Sequence, residues 1–169
     1  YCVDIPWGRI FHVATGGEFS LVAEYDGEPN GMKLLPTGEL LIADYKNGLV
    51  RLDPKTGEII PHLSRVRLER LKALNDLTIS RKGEVFFTDQ GLTGLHDPTG
   101  RVFRQRADGH VDCLIDNGPS PNGLVLSPDE SVLYVAMTRA NAVWRVPLMA
   151  DGTVAKVGVY VQLSGGGGP

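Results

Sequence analysis

Three asparagines recur at nearly equal distances: Asn30, Asn75 and Asn122, spaced by 45 and 47 residues. Each is the second residue of a short motif: Pro29-Asn30-Gly31, Leu74-Asn75-Asp76 and Pro121-Asn122-Gly123. The side-chain carbonyl of asparagine is a neutral, hard oxygen ligand. Several of them converging together with carboxylates would suit calcium. Asn-Gly and Asn-Asp are also good turn formers, so any one of the three alone carries little weight. Asp44 and Asp89 share a second repeated position, where each could cap backbone amides at a strand end or reach into the same site. The stretch DQGLTGLHDPTG, residues 89–100, holds His96-Asp97. That pair could act as an acid and a base; the plainer reading is a surface histidine beside a turn-forming Asp-Pro. The sequence has no G-x-S-x-G elbow, no phosphate loop, no H-E-x-x-H and no Cys-His zinc spacing. The glycines at 165–168 lack the Lys-Ser/Thr of a phosphate loop, and Thr15-Gly16-Gly17 reads as a hairpin turn.

The asparagines sit at the head of a repeat. Segments starting at Pro29, Leu74 and Pro121 share one plan: a short apolar strand, a turn, a strongly apolar strand, then two more strands. The first turns are Pro36-Thr37-Gly38, Arg81-Lys82-Gly83 and Pro128-Asp129-Glu130. The second strands, ELLIAD, EVFFTD and SVLYVAM, are nearly all apolar, as expected for strands buried on both faces. Four strands every 40 to 50 residues is the pattern of a β-propeller blade. No stretch shows convincing helical periodicity. The predicted fold is all-β: a half blade over 1–28, blades over 29–73, 74–120 and 121–164, and the entry to a next blade over 165–169. In such a fold the first strand of each blade lines a central channel, which puts the three asparagines around one mouth. Trp7, Trp144 and the Phe and Tyr residues read as core.

Composition narrows the partners. The chain has 169 residues, is 42% hydrophobic and carries a net charge of −3. It can build a core, and no basic face invites nucleic acid. The locally basic stretch Arg65, Arg67, Arg70, Lys72 reads as a solvated loop with Val66, Leu68 and Leu71 turned inward. Cys2 and Cys113 are too few for a disulfide framework and read as free thiols in a reducing compartment. No apolar run approaches the length of a membrane span.

At LNDLTISRKGEVFFTDQG and PNGLVLSPDESVLYVA, and in the opening YCVDIPWGRIF, the sequence resembles the senescence marker protein/gluconolactonase family, over essentially all 169 residues. The resemblance implies a six-bladed β-propeller, of which about three and a half blades are present. It implies hydrolysis of a sugar lactone or related ester with one divalent metal, calcium first, zinc or magnesium as alternatives. Asn75 matches the asparagine of the family's N-D motif and Asn122 that of its P-N-G motif, both metal ligands. The remaining ligands are a Glu expected ahead of Tyr1 and an Asp expected after Pro169, so no catalytic residue is assigned within the chain. Asn30, Asp89 and His96 are the expected substrate contacts. Ala73 stands where sugar-lactonase members often carry Arg, with Lys72 adjacent, which counts against gluconolactone as the particular substrate. A small lactone or ester is the expected partner, without nucleic acid or membrane, in the cytoplasm. Two further readings stand beside this one: a non-catalytic module in which the open propeller associates with another chain, and a strictosidine-synthase-like propeller.

Overall fold

The computed structural model describes all 169 residues. They divide into two compact units, Tyr1–Leu74 and Asn75–Pro169. The first unit opens with a three-stranded antiparallel sheet: β1 (Cys2–Asp4), β2 (Arg9–Val13) and β3 (Phe19–Glu24). A four-stranded meander follows: β4 (Pro29–Leu34), β5 (Leu40–Asp44), β6 (Gly48–Asp53) and β7 (Glu58–Leu63). Its second strand is buried at every residue, as the run LLIAD demands. Leu40 and Ile42 on one face join Val50 and Leu52 of β6 with Ile10 and Ala23 of the first sheet in one core. Each leucine, isoleucine or valine among them contributes about 1.5–3 kcal/mol on burial.

The second unit repeats the plan twice. One sheet runs β10 (Leu74–Ile79), β11 (Val85–Asp89), β12 (Gly100–Gln105), β13 (Val111–Gly118), its first residue falling at the division between the units. The other runs β14 (Pro121–Leu126), β15 (Val132–Met137), β16 (Ala142–Pro147), β17 (Gly158–Gln162). Phe86, Val102 and Ile115 of the former pack on Leu124, Leu133, Val135, Met137 and Val146 of the latter. In the first turns of the repeat, Gly38 and Gly83 adopt φ of 88° and 79°. Glu130 takes the same left-handed place at φ 58°, at a cost that a glycine would not incur. Neighbouring Asp129 offsets it by accepting the Ser127 and Ser131 hydroxyls at 2.6 and 2.8 Å. Residues beyond β17 are tied down: Asn141 Nδ2 donates to the Leu163 and Gly165 carbonyls, and Thr138 Oγ1 donates to that of Pro169.

Two expectations about side-chain placement are overturned. Residues 65–70 form a small hairpin, β8 (Arg65–Val66) with β9 (Glu69–Arg70). Val66 pairs with Glu69, so Arg67 and Leu68 become its tip, and Leu68 is 91% exposed rather than turned inward. Trp7 lies outside the core at 66% exposure, in a 3-10 turn (Ile5–Trp7), with the Arg9 guanidinium over its ring. Phe19 is likewise exposed, whereas Trp144 packs against the core of the second unit. Both cysteines are free thiols. Burial pushes the Cys113 thiol up from its ordinary pKa.

Candidate functional site

Asn75 and Asn122 stand at the heads of β10 and β14, the first strands of the two sheets of the second unit. One hydroxyl joins these strand openings. Thr88 Oγ1, fully buried, accepts the Asp76 N–H at 3.1 Å and donates to the Asn122 carbonyl at 2.8 Å. Thr88 occupies the repeat position filled by Ala43 and Ala136 in the other sheets. A hydroxyl where the repeat otherwise has a methyl was the signal in the sequence, and it was passed over.

The Asn75 side chain is 9% exposed. Its Nδ2 donates to Gln90 Oε1 at 2.8 Å, and Gln90 Nε2 donates to Ser120 Oγ at 2.7 Å. Its carbonyl oxygen, on the other side of the amide, receives no hydrogen bond from the protein. The atom is reached by solvent, for the one buried side-chain polar atom without a partner is Arg51 Nε. An accessible neutral amide oxygen is a ligand that a hard cation takes, so this atom fits the role implied for it. Asn122 is half-buried and its side-chain amide is likewise unengaged. Asp76 carries a carboxylate where the other repeats have glycine. Its Oδ1 accepts the Leu77 N–H at 2.8 Å, and its Oδ2 lies 3.8 Å from where a Cβ on Gly123 would stand. Sequence reading singled out neither Asp76 nor Gln90 nor Ser120.

The remaining candidates are placed as follows. Asp89 is fully buried and its Oδ2 accepts two bonds from Arg101, from Nε at 2.8 Å and from Nη2 at 2.5 Å. His96 and Asp97 are exposed in the loop between β11 and β12, within a tight turn closed by Gly94 and Asp97. No hydrogen bond or ion pair joins the two side chains. Asn30 holds the equivalent strand-opening position in the first unit, half-buried on β4. Beside that opening, the buried Asp44 carboxylate gathers four donors: the Tyr25 hydroxyl at 2.7 Å and the N–H groups of Glu28, Lys46 and Asn47 at 3.1, 2.8 and 2.7 Å. Burial first, and then the bond to Asp44, hold the Tyr25 phenol well above its ordinary pKa. A Cβ on Gly27 would run into the Tyr25 ring and Asp44 Oδ2, so only glycine fits there.

Successive four-stranded meanders with this repeat define a β-propeller. Comparison with known proteins gives the family. A family model described as SMP-30/Gluconolactonase/LRE-like region matches residues 1–169, and the chain belongs to that family. A gluconolactonase from Zymomonas mobilis is 38% identical over 135 residues, 73% of this chain and 38% of that protein. Among solved structures, a gluconolactonase from Xanthomonas campestris superposes with a TM-score of 0.85 at 22% identity, covering 98% of this chain and 59% of the other. A calcium-binding regucalcin from Agrobacterium tumefaciens superposes with a TM-score of 0.76 at 23% identity, covering 94% and 53%. The chain thus spans less than two thirds of each relative. No helix is long and apolar enough to cross a membrane.

Proposed function

We propose that this chain is part of a metal-dependent hydrolase that opens a lactone or related ester. The observation that carries the reading is the Asn75 carbonyl oxygen: without a protein donor, reached by solvent, and at the head of a first strand in a chain of the gluconolactonase-like family. In this reading Asn75 and Asn122 hold a divalent cation, calcium before zinc or magnesium, through their amide oxygens. A bound cation would polarise the lactone carbonyl and stabilise the developing oxyanion. Thr88 keeps the two asparagine-bearing strands at a fixed offset through its two hydrogen bonds. Asn30 and the exposed His96 are assigned to substrate contact. Asp89 keeps that assignment only through the loop it anchors, because its carboxylate is engaged by Arg101.

Two neutral amides bind calcium weakly, since affinity in oxygen sites follows the number of charged ligands. The resemblance places the carboxylates it implies on other blades of the family's fold. The test is therefore a chimera in which this chain replaces the matching stretch of the Zymomonas gluconolactonase, with lactone opening followed by acid release. Calcium-dependent turnover is expected, lost in Asn75→Ala and restored by no amount of added lactone. A folded chimera that turns over equally well with Asn75→Ala would refute the assignment.

A further inference from the structure

We infer that Gln90 is a positioning residue, whose task is to lock the Asn75 amide with its carbonyl oxygen as the unengaged acceptor. The argument starts from Ser120. It is a non-glycine residue at φ 63°, 2% exposed, in a conformation that side chains rarely adopt. Such a residue persists only where its surroundings over-determine it, and here they do. Its N–H is shared between Thr93 Oγ1 at 3.1 Å and the Gly118 carbonyl at 3.0 Å, and its own carbonyl accepts the Thr138 N–H at 3.0 Å. The backbone of Ser120 is thereby held in place. Thr93 is itself pinned, its hydroxyl donating to the Gln90 carbonyl at 2.6 Å. The short loop that carries Gln90 and the turn that carries Ser120 are thus laced together from both sides.

Gln90 spans the gap. Its Nε2 donates to Ser120 Oγ at 2.7 Å, and its Oε1 is the end that faces Asn75. An Oε1 can only accept, so it selects the NH2 end of Asn75, at 2.8 Å. The amide of Asn75 is then left with its oxygen turned away from the relay. Without Gln90, nothing in the structure distinguishes the two ends of that amide. The inference deepens the lactonase reading, because the use of this oxygen by a cation rests on that reading. The lock itself does not depend on it.

The experiment uses the 169-residue chain, labelled with 15N at asparagine and glutamine side chains, as wild type, Gln90→Leu, Gln90→Glu and Ser120→Ala. Glutamate can accept from Asn75 Nδ2 and from the Ser120 hydroxyl, so Gln90→Glu preserves the relay. The first reading is hydrogen exchange at Asn75 Nδ2. The second is the Kd for calcium chloride from shifts of the same signals. Expected in Gln90→Leu are exchange accelerated about tenfold and a Kd weakened about tenfold to a hundredfold, the range usual when a group that orients a metal ligand is removed. Gln90→Glu restores both. Ser120→Ala, which keeps Gln90 and frees its far end, gives a partial loss and serves if Gln90→Leu does not fold. Unchanged exchange in Gln90→Leu overturns the inference, as does a Gln90→Glu protein that loses as much as Gln90→Leu. If Gln90→Leu unlocks Asn75 while calcium shifts no signal in the wild type, the lock stands and the metal reading falls.

Discussion

At the scale of single residues, the second unit depends on small polar groups that each meet two needs. Thr88 is the clearest case. Its hydroxyl serves a donor on one strand and an acceptor on the next, inside a strand buried at every residue. Valine would keep the shape and strand propensity while leaving the Asp76 N–H and the Asn122 carbonyl unmet. Each unmet buried group costs about 1–3 kcal/mol. Thr88→Val should therefore lower stability by at least that much in denaturant unfolding, whereas a valine that unfolds like wild type would show the strand openings are held by something else. Asn75 follows the same logic in reverse: its donor end is satisfied and its acceptor end receives no hydrogen bond from the protein.

At the scale of elements, the first turns of the repeat show how one geometry is reached by two chemistries. Glycine supplies the left-handed residue in two of them, and Glu130 in the third. The third turn is stiffened by Asp129, whose carboxylate is held down to a pKa of about 2 by the Ser127 hydroxyl, the Ser131 hydroxyl and the Ser131 N–H. An aspartate in an unfolded chain titrates near pH 3.9. Folding therefore favours the ionised form, a contribution fully present above about pH 4 and lost as pH falls toward 2. Thermal unfolding followed between pH 5 and 2 should show wild type losing stability more steeply than Asp129→Asn below pH 4. Parallel curves would mean the serine contacts are not formed in solution. The β8–β9 hairpin is the element that sequence did not reveal. Residues 65–72 read as a loop because the basic residues obscure any alternation, and the hairpin is only two residues deep on each side.

At the scale of the whole molecule, most of the architecture was legible because the blade plan repeats. Buried runs such as LLIAD and VFFTD marked the second strands, and glycine-marked turns and an asparagine at each strand opening marked the plan of the sheets. The relay from Asn75 through Gln90 to Ser120 was not legible. Its members lie 15 and 30 residues apart on a strand, a loop and a turn, and no periodicity links them. Trp7 and Phe19 misled for another reason: a large apolar side chain in a turn or on an edge strand reads as core whether or not anything covers it. The last strand raises the same question. β17 is exposed along its length, lies at the edge of its sheet, and presents Val159, Tyr160 and Val161 at 58, 59 and 38% exposure. Exposed apolar edge strands pair readily, so isolated copies of the 169-residue chain should associate through it. Light scattering over a concentration series should give a mass rising above 18.3 kDa, and Val159→Lys should suppress the rise. A constant monomer mass would exclude that pairing.

The central claim is that Asn75 and Asn122 furnish oxygen ligands for a divalent cation, and the most direct test is calcium titration calorimetry on the chain and on the Asn75→Ala/Asn122→Ala double variant. The account predicts weak binding in the wild type, with a Kd above about 10⁻⁴ M as befits two neutral ligands, and none in the double variant. Binding of equal strength in both proteins, or no heat in either, would contradict it.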